Sequence, residues 1–94
     1  VKAHDLIEQA AKLVANDRDK SHGSKQPNHQ NIADLWNAYL GSQLKEPLKP
    51  SQVAALMCLL KIARTKMGTF NLDNAVDAAG YAGIMGELMI LEQD

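Results

Sequence analysis

The sequence predicts an all-α domain, a compact four-helix bundle, on three observations. Apolar residues recur at i, i+3, i+4 and i+7 in four segments, the spacing of a helix face. Glycine and proline fall between those segments, where helices begin and end. No run of alternating β-branched residues and no Asn-Gly or Asp-Gly hairpin occurs, so no strand is expected.

The first helix is expected over about 5–16. Leu6, Ile7, Ala10, Leu13 and Val14 form its apolar stripe, and Asp5 with Glu8 three residues later reads as a capping box. Residues 17–28 are polar throughout, contain Gly23 and Pro27, and read as the longest loop. His22 lies in its middle, either as an exposed turn histidine or folded over a ligand.

Asn28 is placed to cap a second helix over about 29–41, with Gly41 as its stop. Ile32, Leu35, Trp36, Tyr39 and Leu40 form its stripe, which includes the only tryptophan and is expected to supply the bulkiest core contacts. His29 sits at the stripe's edge. A proline-bounded connector leads to a third helix over about 50–67, started by Pro50 and stopped by Gly68. Asn71 or Asp73 caps a fourth, over about 73–92.

The third and fourth helices are apolar almost all round, yet each carries charge on its expected core side. At about 100° per residue, Val53, Met57, Leu60 and Met67 share a face with Arg64 at its centre and Lys61 at its edge. On the fourth helix Tyr81, Ile84 and Leu88 share a face with Asp77, and Asn74 lies beside it. One reading is an ion pair between Arg64 and Asp77, although burying such a pair costs several kcal/mol per ion. The other is a polar pocket inside the bundle, lined by Lys61, Arg64, Asn74, Asp77 and Tyr81. Lys61 and Arg64, one turn apart, would suit a phosphate or carboxylate.

The fourth helix also carries Ala75, Ala78, Ala79, Gly80, Ala82, Gly83 and Gly86. A glycine inside a helix costs about 1 kcal/mol relative to alanine. Their expected use is the close approach of another backbone, either the third helix or the same helix of a second copy.

Size and charge narrow the field. At 94 residues the chain is one domain, 1–94, with a thin core. Ten basic and eleven acidic residues, without a like-charge block, leave no electrostatic footprint for nucleic acid. No uncharged apolar run is long enough to span a membrane, and no secretion signal stands at the start, so neither is expected. Val1 in place of methionine suggests a preceding initiator or leading segment. The single cysteine, Cys58, reads as a small buried residue in a reducing cytoplasm. The histidines His4, His22 and His29 lack zinc-site spacing, so no metal site is expected from the residues.

Several motifs together resemble a small helical domain of unknown function found in phage and prophage genomes. They are His22-Gly23, Asn28, Trp36 with Tyr39, Lys61 to Arg64, and Asp73 to Ala82. That domain in turn is similar to the all-α nucleoside-triphosphate pyrophosphohydrolases, the MazG and dimeric dUTPase-like group. The resemblance implies a cytoplasmic protein of the bacterial host and a nucleotide or other anionic ligand. The hydrolases hold magnesium with two acidic pairs on adjacent helices. By position Asn74 and Asp77 stand at one pair and Lys61 and Arg64 at the other, so one carboxylate remains of the set. Magnesium takes hard oxygen ligands, commonly carboxylates, and would be required only if hydrolysis persists with an altered metal arrangement.

The leading expectation is therefore an accessory protein that binds a nucleotide or other anion at a degenerate site. Lys61 and Arg64 would hold the anion, Asn74 and Asp77 would orient them or a sugar hydroxyl, and His22 would close over from its loop. The alternative is a structural or host-protein interaction module whose charges form an internal polar staple.

Overall fold

The computed structural model describes residues 1–17 and 24–93. Among them are four α-helices and no strand: α1 (Ala3–Lys12), α2 (Lys25–Leu40), α3 (Pro50–Arg64) and α4 (Asp73–Leu91). α1 runs on into a π-helical turn, Leu13–Asp17, and α2 into a 3-10 turn, Gly41–Gln43. The all-α expectation holds.

The helix boundaries shift for local reasons. α1 starts at Ala3, and Asp5 serves three positions inside it, accepting the Lys2 backbone N–H at 2.9 Å. Asp5 thus supplies the returning half of a capping box rather than the cap expected of it. α2 begins at Lys25, so Asn28 and Pro27 lie within its first turn. Proline is tolerated there because the first N–H groups of a helix have no internal acceptor. α3 ends at Arg64, three residues early, in a chain of turns that closes at Gly68 with φ +76°. At its start Gln52 Oε1 accepts the Lys49 N–H at 2.8 Å. The α4 entrance is fastened by Asn71, whose Oδ1 accepts the Asp73 N–H at 2.9 Å.

The two sequential helices α3 and α4 form the centre of the molecule and make its most extensive contact. α1 packs on α4 and α2 packs on α3. Ala54, Ile84 and Leu88 form the fully buried cluster, with Val14, Tyr81 and Met85 against it. The core is as thin as the chain length implies.

Two helices turn different faces inward from those expected. On α2 the buried residues are His29 and Ala33, while Leu35 and Tyr39 are exposed and Trp36 is only half-buried. The aromatic stripe therefore does not supply the bulk of the core. His29 sits wholly inside, its Nδ1 2.8 Å from the Lys25 carbonyl one turn back. On α3 the inward side is centred on Ala54 and Cys58, small residues that let α4 approach closely. The Cys58 thiol donates to the Ala78 carbonyl at 3.3 Å. Leu60 and Met67, expected inside, are exposed.

Candidate functional site

The turn of α3 toward Ala54 and Cys58 decides which of its cations meets α4. Residues 54, 58 and 61 follow at i, i+4 and i+7, one helical face, so Lys61 rather than Arg64 continues the inward side. Lys61 Nζ lies 3.1 Å from Asp77 Oδ2, and both side chains are largely shielded from solvent. Arg64 is exposed. The expected Arg64–Asp77 pair is thus replaced by Lys61–Asp77. Lysine suits this place because its four-carbon stem covers apolar surface while the ammonium reaches the edge.

The other candidate residues disperse. Tyr81 is half-buried against the Ala54–Ile84–Leu88 cluster, one turn beyond Asp77. Asn74 is half-buried at the start of α4 and faces a small hollow of about 150 Å³ with Thr65, Phe70 and Leu72. His22 lies outside the described residues. Among the described residues the structure brings together Lys61 and Asp77 but does not gather Arg64, Asn74 and Tyr81 with them around one cavity.

Two polar contacts that the sequence does not announce are more elaborate. The Glu92 carboxylate, at the end of α4, accepts the Ser51 backbone N–H at 2.9 Å and the Ser51 hydroxyl at 2.5 Å. A carboxylate at a helix N-terminus satisfies orphan donors and meets the positive end of the dipole. These partners are 41 positions apart, so no local cap motif marks them. Asn37 on α2 holds the connector in the same way, donating to the Leu48 carbonyl at 3.1 Å and accepting its N–H at 2.7 Å.

Apolar surface is the larger feature. A groove of about 430 Å³ runs between α1 and α4, lined by Ile7, Ala11, Val14, Ala79 and Gly83, with Lys25 and Glu87 at its edge. Gly80 lets α1 close down on α4, since a Cβ there would stand 3.2 Å from Val14 Cγ2. Gly83 and Gly86 have open space instead. A second groove of about 430 Å³ lies between α3 and α4, with Ala55, Met85 and Met89 along it and Ser51 and Glu92 at one end. Leu56, Leu59 and Leu60 are also exposed on α3. Among the described residues no three His, Cys, Asp or Glu side chains are grouped to hold a metal ion, and no helix is long and apolar enough to cross a membrane.

Comparison with known proteins finds phage relatives. The chain is 34% identical over 89 residues to the Gene 55 protein of Mycobacterium phage L5, covering 95% of this chain and 55% of that protein. It is 36% identical over 81 residues to the Gene 55 protein of Mycobacterium phage D29, covering 86% and 51%. The chain therefore spans about half the length of these relatives. No solved structure matches it. The resemblance to a phage domain is upheld, and with residues 5–89 matching the profile of the Domain of unknown function (DUF6378), the chain belongs to that family.

Proposed function

We propose that this domain is a non-enzymatic interaction module that works in the bacterial cytoplasm, presenting apolar helix surface to a protein partner. The observation that carries this reading is the pairing of Lys61 with Asp77 at 3.1 Å. A lysine already matched by a carboxylate is not offering its charge to an anion. The pair acts as a clasp between the C-terminal end of α3 and the start of α4. Outward the molecule also offers large apolar side chains: Leu59, Ile62, Met89 and Ile90 are each at least half exposed. Large exposed apolar surface on a small domain marks an interaction site. The phage relatives and the single reduced-type cysteine support a cytoplasmic setting.

The competing reading, an anion or nucleotide site descended from a pyrophosphohydrolase, retains Arg64 as its exposed cation. Thermal denaturation with a panel of nucleoside triphosphates and pyrophosphate separates the two. No nucleotide-specific stabilisation is expected, nor pyrophosphate release with magnesium or manganese. Saturable stabilisation by one nucleotide, abolished in Arg64→Met while the fold is kept, would overturn the interaction reading.

A further inference from the structure

The α3–α4 pair has one covered side and one bare side. On the covered side α1 and α2 pack, and Val53 on α3 and Val76 on α4 are 0% and 3% exposed. About 180° round each helix the opposite flank begins. On α3 it consists of Ala55, Leu59 and Ile62, at i, i+4 and i+7; Leu59 is 59% and Ile62 50% exposed. On α4 it consists of Ala78, Ala82, Met85 and Met89, again at helical spacing, with Ala82 exposed and Met89 52% exposed. The groove along Ala55, Met85 and Met89 joins the two flanks near the start of α3 and the end of α4. The seven flank residues are all uncharged, and the charged Lys49 and Glu92 stand at one end of the groove.

We infer that this surface is covered by a second copy of the same chain, the two α3–α4 pairs packing face to face about a two-fold axis parallel to the helices. This rests on the interaction-module reading and names its partner. Three observations select a second copy.

The first is shape. The α3 edge of the surface has the bulky Leu59 and Ile62, whereas the α4 edge opens with the small Ala78 and Ala82 ahead of Met85 and Met89. A two-fold axis along the pair sets α3 of each copy over α4 of the other, so the bulky Leu59 of each copy meets the small Ala78 of the other, which the Cys58–Ala78 bond places at nearly its height. Such self-complementarity is what an isologous interface needs.

The second is charge. The same axis keeps each residue at its own height along the pair. It therefore sets the end of α3, with exposed Arg64 and the following Lys66, over the start of α4 of the other copy, with exposed Asp73. The far ends match in the same sense, Lys49 toward Glu92. From residue 47 to 72 the chain has no acidic residue. Packing α3 on α3 would therefore set cations against cations, and the proposed arrangement avoids this.

The third is area. The chain exposes 6751 Å², against about 5,400 Å² for a compact monomer of its mass. Its radius of gyration is 14.2 Å, where about 12.4 Å is usual for this length. The surplus area is at least what each partner of a standard interface buries, about 800 Å².

The test is the mass of the wild-type chain in solution by sedimentation or light scattering, at concentrations up to about 100 µM. A dimer is expected. A monomer across the range, or a larger assembly, overturns the inference but leaves the interaction module standing, since that reading is tested separately with nucleotides. Leu59→Lys is expected to weaken the dimer by about 30-fold or more while circular dichroism stays helical. Ile7→Lys and Leu56→Lys, on other surfaces, are expected to leave it dimeric. If Leu59→Lys remains dimeric, or Ile7→Lys or Leu56→Lys alone dissociates the dimer, this face is not the interface.

Should Leu59→Lys unfold, crosslinking decides. The Cys58–Ala78 bond sets residues 59 and 78 at nearly the same height on the pair. Leu59→Cys and Ala78→Cys chains, each with Cys58→Ala, are mixed and oxidised. A disulfide-linked heterodimer between the two supports the packing, and its absence overturns it.

Discussion

Glu92 and Ser51, 41 residues apart, close one end of the α3–α4 pair: the carboxylate accepts both the backbone N–H and the hydroxyl of Ser51. Lys61 and Asp77 close the other end at 3.1 Å. Between the two clasps lie Ala54, Ile84 and Leu88, fully shielded. The two helices are thereby held at both ends in one register, and each clasp can be tested alone.

Glu92→Ala removes the carboxylate that accepts the Ser51 hydroxyl and N–H, in a residue 6% exposed. Leaving such donors unmatched costs about 1–3 kcal/mol. Glu92→Gln, which keeps an acceptor but not the charge, should lose less. Urea denaturation at fixed protein concentration checks this, with a lowered midpoint and an unchanged slope expected.

Lys61→Met keeps the apolar stem and leaves the Asp77 carboxylate without its ammonium. The pair is neither fully buried nor exposed, so the expected loss falls between the surface and interior cases, at about 1–2 kcal/mol. Adding Asp77→Asn should restore part of it. A double-mutant cycle reads the coupling, expected near 1 kcal/mol. A coupling of zero would mean that the clasp holds nothing.

The glycines of α4 should respond oppositely to alanine. At Gly83 a Cβ meets nothing within 4 Å, so Gly83→Ala should stabilise by up to about 1 kcal/mol through helix propensity. At Gly80 the new Cβ would lie 3.2 Å from Val14 Cγ2, and that gain is spent on displacing α1. Combining Gly80→Ala with Val14→Ala should recover stability relative to the two single changes added together. Thermal unfolding of the four variants measures this.

Asn37→Ala strips both bonds from Leu48 and frees the connector ahead of α3. An expected loss of about 1–3 kcal/mol follows from the unmatched half-buried backbone groups. Hydrogen exchange at the Leu48 amide should rise first, before global protection falls. If exchange at Leu48 is unchanged, the amide finds another partner and the side chain is dispensable.

How far the residues themselves pointed to this structure depends on the range of the interaction. The four helices were legible because periodicity, Pro50, Gly41 and Gly68 act within a few residues. The inward side of α4 was legible too, since Ile84 and Leu88 are large and aligned. The α3 face was not. Val53 is buried as its size suggested and Met57 half-buried, but Leu60, Arg64 and Met67, expected on the same face, are exposed. α3 turns the small Ala54 and Cys58 side to α4, where Ala54 is buried with Ile84 and Leu88.

The sequence by itself therefore determined the all-α class, the approximate helix spans, the thin core and the presence of charge on the central pair. Tertiary structure alone decided which cation meets Asp77, that the distant Glu92 joins the local Gln52 bond in capping α3, and which apolar flanks are left bare. The physical reason is that helix formation is read from spacing along the chain, whereas helix rotation is set by the shape of whatever packs against it.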